Sequence, residues 1–136
     1  MRQGFVSIYD FDMEDEKEKF AVFVYGTLMR GERAHSFLSG AKFIGEYRLD
    51  DYAMYNLGWF PGISPSKGDC VFGEVYEVDL ETLQEMDVYE GEGHLYHRTR
   101  VVVQNETGMN DVFVYVYAQE IFGDKIEGGK WNERKR

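Results

Sequence analysis

Two short segments carry most of the chemistry this sequence can offer. Residues Val22 to Gly31 read Val-Phe-Val-Tyr-Gly-Thr-Leu-Met-Arg-Gly. An apolar strand ends in Tyr25, breaks at Gly26 and passes into small and polar residues able to open a helix at Glu32 or Arg33. Such a strand-to-helix turn leaves several backbone N–H groups unpaired and pointing one way, a nest that attracts a carboxylate or phosphate. The second segment, Asp87-Val88-Tyr89-Glu90-Gly91, sets a carboxylate where an apolar residue is expected. In a dry site the charged form of that group is costly, so burial moves its pKa up toward the range useful for proton transfer.

The elements around these segments decide whether they can meet. Asp79 is placed to N-cap a helix from Leu80 to about Tyr89, and Gly91 is placed to stop it. The helical period puts Leu80, Leu83 and Met86 on one face. Glu90 lies seven residues after Leu83 and four after Met86, in the same arc, which directs it at the core or at a cavity beside it. The other reading has the helix unwound by Tyr89 and Glu90 exposed. Asp87 shares the arc and reads as a structural partner, bonded to backbone or to an arginine such as Arg98.

Phe20 to Tyr25 and Asp111 to Ala118 are apolar on both faces and read as central strands. Further strands are predicted over Ala41 to Leu49, Tyr52 to Leu57, Val71 to Val78 and Tyr96 to Val103, with Asp50-Asp51 as a turn. Glu32 to Ser39 is predicted as a short helix closed by Gly40, and Gly58 to Gly68, which holds both prolines, as a loop. Within that loop, Pro61 and Gly62 belong either to a turn with packed aromatics or to one wall of a pocket. Six or seven strands with two short helices predict an α+β domain. Too few helices exist to cover both faces of a flat sheet, so the expectation is a small mixed β-barrel with flanking short helices.

The chain has 136 residues, which suits one domain. We expect an acidic extension over residues 1–19, with a predicted edge strand at Phe5 to Tyr9 and a charge run at Met13 to Lys19, followed by a domain over 20–136. Net charge is −10, which argues against nucleic acid as the main partner. No apolar run approaches the roughly 20 residues of a membrane-spanning helix. One cysteine, Cys70, suits a reducing cytoplasm. His94-x-x-His97 beside Glu90 falls in a Gly-rich turn without a third strong ligand, so no metal and no cofactor are expected. The serines lack a nucleophile-elbow context, so a serine hydrolase is not expected.

Taken in order, Tyr25-Gly26-Thr27-Leu28 with Arg30-Gly31, Phe60-Pro61-Gly62-Ile63, Gly73-Glu74-Val75-Tyr76-Glu77-Val78, Asp87-x-Tyr89-Glu90-Gly91, Tyr96-x-Arg98 and Gly129-Lys130-Trp131 resemble the motifs of γ-glutamylcyclotransferase-like proteins, a group that includes the AIG2-like proteins. The resemblance runs from about Phe20 to Trp131. The chain departs from the pattern at Trp59, Met29 and its N-terminal extension. The resemblance implies a small-molecule γ-glutamyl substrate, cyclised to 5-oxoproline with release of its amine and with Glu90 as acid/base. It also implies that the loop from Tyr25 through Gly26 and Thr27 to Leu28 holds the γ-glutamyl group, with Pro61, Gly62 and Tyr96 completing the site. The rival expectation is a non-catalytic module of the same fold that binds a small carboxylate or a partner. An enzyme needs Glu90 to face the Gly26 loop across an open cavity.

Overall fold

The computed structural model describes residues 18–133. The predicted edge strand at Phe5 to Tyr9, the charge run up to residue 17 and residues 134–136 lie outside the described residues. β1 (Lys19–Val24) is followed by β2 (Lys42–Asn56), β3 (Pro61–Asp79), the helix α1 (Leu80–Glu90), β4 (Tyr96–Asn105), β5 (Gly108–Tyr117) and the two-residue β6 (Asp124–Lys125). The sheet order is β3-β1-β5-β4-β2-β6, and β2 also pairs with β3. The order therefore returns on itself, and the sheet is barrel-like. The β1–β5 pairing, at Val22 and Phe113, is parallel; the other strand pairs run antiparallel.

β1 owes its central place to its sequence. Val22, Phe23 and Val24 are consecutive and all buried, so both faces of the strand are covered. In β5, Val112, Val114 and Tyr115 are buried. The caps of α1 form as their residue types dictate. The Asp79 side chain accepts a hydrogen bond from the Thr82 N–H (2.8 Å), and Gly91 closes the helix at φ 66°. Leu83 and Met86 enter the core, whereas Leu80 is 52% exposed because it sits on the first turn, at the rim.

Three local predictions are corrected. Asp50-Asp51 does not end a strand: β2 runs through it, absorbing Asp51 at φ 67° where the register with β3 shifts. The predicted Gly58–Gly68 loop is strand from Pro61 on. Pro61 is the first residue of β3, and Pro65 stands opposite Tyr52 beside the irregularity, positions where a missing N–H is tolerated. The Glu32–Ser39 helix is only a 3-10 turn over His35–Leu38, with Ala34 at its N-cap supplying no side-chain bond.

Candidate active site

A cavity of ≈ 250 Å³ lies between the turn after β1, the end of α1 and the first residues of β3 and β4. Glu90 lines it, and so do Tyr25, Gly26, Thr27, Leu28, Pro61 and Tyr96. The acid and the glycine turn therefore share one hollow. Gly62 is elsewhere: a Cβ there would stand 2.8 Å from Leu57 Cδ1 and 2.9 Å from Tyr117 Cβ, so this glycine is needed for packing. The cavity also takes in Phe60 and Tyr115, and with them Arg33, Tyr89 and Leu95, which the site reading of the sequence did not include. Tyr89 stands inside a quoted motif and was within reach; no local pattern marks Arg33, whose guanidinium donates to the Trp59 carbonyl (3.1 Å).

In the turn, the carbonyls of Gly26, Thr27 and Leu28 are occupied and their amides are not. Met29 N–H donates to Gly26 O (3.0 Å) and Ala34 N–H to Thr27 O (2.9 Å). His35 Nδ1–H donates to Leu28 O (2.9 Å). Among the described residues, no backbone carbonyl accepts the N–H of Gly26, Thr27 or Leu28. Three adjacent free amides beside a hollow form a seat for negative charge. Pro61 presses on Gly26 so closely that a Cβ there would lie 2.4 Å from its Cγ and 2.7 Å from its Cδ.

Hydroxyls tie the walls together. Tyr25 Oη donates to Tyr115 O (2.6 Å), and Tyr96 Oη donates to Pro61 O (2.6 Å). Thr27 Oγ1 and Tyr89 Oη are 3.0 Å apart, linking the turn to α1 across 62 residues of chain. Asp87 accepts from Tyr115 Oη (2.7 Å) and pairs with Arg98 Nε (3.0 Å), so of the backbone or arginine partner read for it from the sequence, it has the arginine.

Burial raises the Glu90 carboxyl from an ordinary 4.5 to about 7. Burial also pushes Tyr25 and Tyr96 up, and the neighbouring Glu90 charge adds to both. These phenols stay protonated at neutral pH, leaving Glu90 as the lining group poised to exchange a proton. The same shift affects stability. Between pH ~4.5 and ~7 the folded protein holds a proton that the unfolded chain has released, so this group's contribution to stability falls as pH rises through that window. Glu90→Gln is expected to unfold later than wild type at pH 8, by about 1–3 kcal/mol. The advantage should vanish below pH ~4.5, and urea unfolding of both proteins at the two pH values measures it.

Among the described residues, no three or more His, Cys, Asp or Glu side chains gather into a metal site. No described helix is long and apolar enough to cross a membrane.

Fold and cavity together define a small α+β protein with a ligand-sized hollow set against a barrel-like sheet. The family described as gamma-glutamyl cyclotransferase, AIG2-like, matches residues 22–133, and the chain belongs to that family. It is 34% identical over 116 residues to the gamma-glutamylcyclotransferase family protein YtfP of Escherichia coli K12, covering 85% of this chain and 98% of the relative. The crystal structure of an AIG2-like protein from Mus musculus superposes with a TM-score of 0.73 at 30% identity, covering 88% of this chain and 99% of that one. For an uncharacterized protein from Pyrococcus horikoshii the TM-score is 0.71 at 32% identity, covering 84% and 91%.

Proposed function

We propose that this protein cyclises a γ-glutamyl amide or peptide to 5-oxoproline and releases the amine, with Glu90 as general acid and base. One observation carries the reading: Glu90, its carboxyl raised to about 7 by burial, lines the same hollow as Gly26, Thr27 and Leu28, whose N–H groups no backbone carbonyl accepts.

The substrate's own α-amine attacks its γ-carbonyl carbon. A new C–N bond closes the five-membered ring, and the bond to the leaving nitrogen breaks. No protein nucleophile is required, in keeping with a cavity whose lining hydroxyls are engaged with one another, with the main chain or with Asp87. Folding the substrate for ring closure is the largest effect, since well-oriented intramolecular reactions reach effective molarities of about 10⁵–10⁸ M. Glu90 takes the proton from the attacking amine and delivers it to the leaving nitrogen, a pKa near 7 suiting both halves of the transfer. The amides of Gly26 to Leu28 receive negative charge, from the substrate carboxylate or from the oxygen of the tetrahedral intermediate.

The test is to incubate the full chain with γ-glutamyl amines and γ-glutamyl amino acids and to assay released 5-oxoproline. Release from at least one compound supports the reading; none across the panel overturns it.

A further inference from the structure

We infer that Glu74 is a positioning residue: it holds both ends of the Tyr25–Met29 turn and thereby sets the amides that share a cavity with Glu90. The inference rests on the proposed function for its kinetic consequence, but the latch itself stands on hydrogen bonds.

Glu74 is 8% exposed, in a strand otherwise apolar at Val71, Val75 and Val78. A carboxylate in such a place is costly unless its charge is met by donors, and an apolar residue of similar size would often serve stability as well. Here two of the three donors come from Arg30. Oε1 accepts from the Arg30 backbone N–H (3.0 Å), and Oε2 accepts from Arg30 Nε (3.2 Å). Tyr76 Oη supplies a third bond, to Oε1 (3.0 Å).

The register makes the placement meaningful. Glu74 is the ladder partner of Val24, the last residue of β1. Its backbone therefore holds the chain where the turn begins, and its side chain grips the N–H of Arg30 where the turn ends. Between those two points lie Tyr25 through Met29, including the three free amides. Arg30 is steadied in turn by Glu46 (3.2 Å) and by the Phe43 ring, 4.2 Å from its guanidinium carbon.

Glu74 does not line the cavity that holds Glu90. With Met29 it lines a separate groove of ≈ 800 Å³, so it reaches the substrate site only through the turn. Displacing reacting groups by about 1 Å can cost on the order of 100-fold in rate, which is the leverage the latch has.

The experiment uses the full chain with Glu74→Gln, which keeps the shape of the side chain but sets an amide against the Arg30 guanidinium. A folded Glu74→Gln protein is expected to lose about 10- to 100-fold in kcat/KM, while the pH midpoint of activity set by Glu90 stays where it is in wild type. Activity within twofold of wild type overturns the inference. So does a loss accompanied by a moved midpoint, because that would report a deformed cavity and a merely structural role. If Glu74→Gln does not fold, Arg30→Ala removes only the half-exposed guanidinium, with an expected loss of about two- to fivefold; unchanged activity overturns the latch. Should wild type turn over no γ-glutamyl compound, the functional reading falls separately. The latch is then read from the backbone amide resonances of Gly26 to Leu28 in Glu74→Gln: displaced, it stands; coincident with wild type, it fails.

Discussion

Glu90→Gln is expected to lower turnover of γ-glutamyl substrates by about 10²–10⁴-fold, the usual worth of a positioned acid/base. The change keeps volume and shape while removing the ability to exchange a proton near pH 7. The variant should fold, since a neutral amide in this half-buried site avoids the desolvation cost that pushes the carboxyl up to about 7. Loss of rate in a protein more resistant to unfolding than wild type at pH 8 would separate chemistry from stability. In wild type the rate should rise as Glu90 ionises through pH ~7, and that rise should be missing from the residual activity of the variant. Undiminished 5-oxoproline release by folded Glu90→Gln removes the residue from the mechanism.

Gly26→Ala is expected to damage both stability and activity. The added methyl would meet Pro61 at 2.4 and 2.7 Å. A proline ring has little freedom to yield, and the Pro61 carbonyl is itself held by Tyr96 Oη. Over-packing of this kind costs about 1–3 kcal/mol, and the turn must shift by a good part of an ångström to relieve it. That displacement moves the free amides away from Glu90, so a loss of about 100-fold in kcat/KM should accompany the drop in stability. Gly40→Ala is the control, because a Cβ there meets nothing within 4 Å; it should stay within about 0.5 kcal/mol of wild type. Equal behaviour of the two variants in urea unfolding and in turnover would show that the close approach of Pro61 does not matter.

The elements legible in the sequence are those whose causes are local. Asp79 and Gly91 bracket α1 because capping depends on bonds between near neighbours in the chain. Two-sided apolar runs marked β1 and β5 because burial of both faces leaves no polar alternation. The ordered motifs pointed to the family that matches residues 22–133. Misreadings fell where residue type and pairing disagree. Asp50, Asp51, Pro61 and Pro65 look like turn residues, yet the long β2–β3 ladder carries them at its start and at its bulge.

The sequence by itself determined the caps of α1, the central strands and the two segments here proposed to bind an anion and to move a proton. Tertiary structure decided which of the two readings of Glu90 holds: the side chain lines a cavity, because the turn after β1 and the starts of β3 and β4 close around the end of α1. It decided that Gly26 lies against the hollow while Gly62 is buried in packing, and that Glu74 reaches the turn from another strand. The physical reason is distance along the chain. Capping and periodicity act over a few residues, whereas a cavity, a desolvated carboxyl and a bond such as that between Thr27 and Tyr89 are made by segments far apart in sequence, and no local pattern records them.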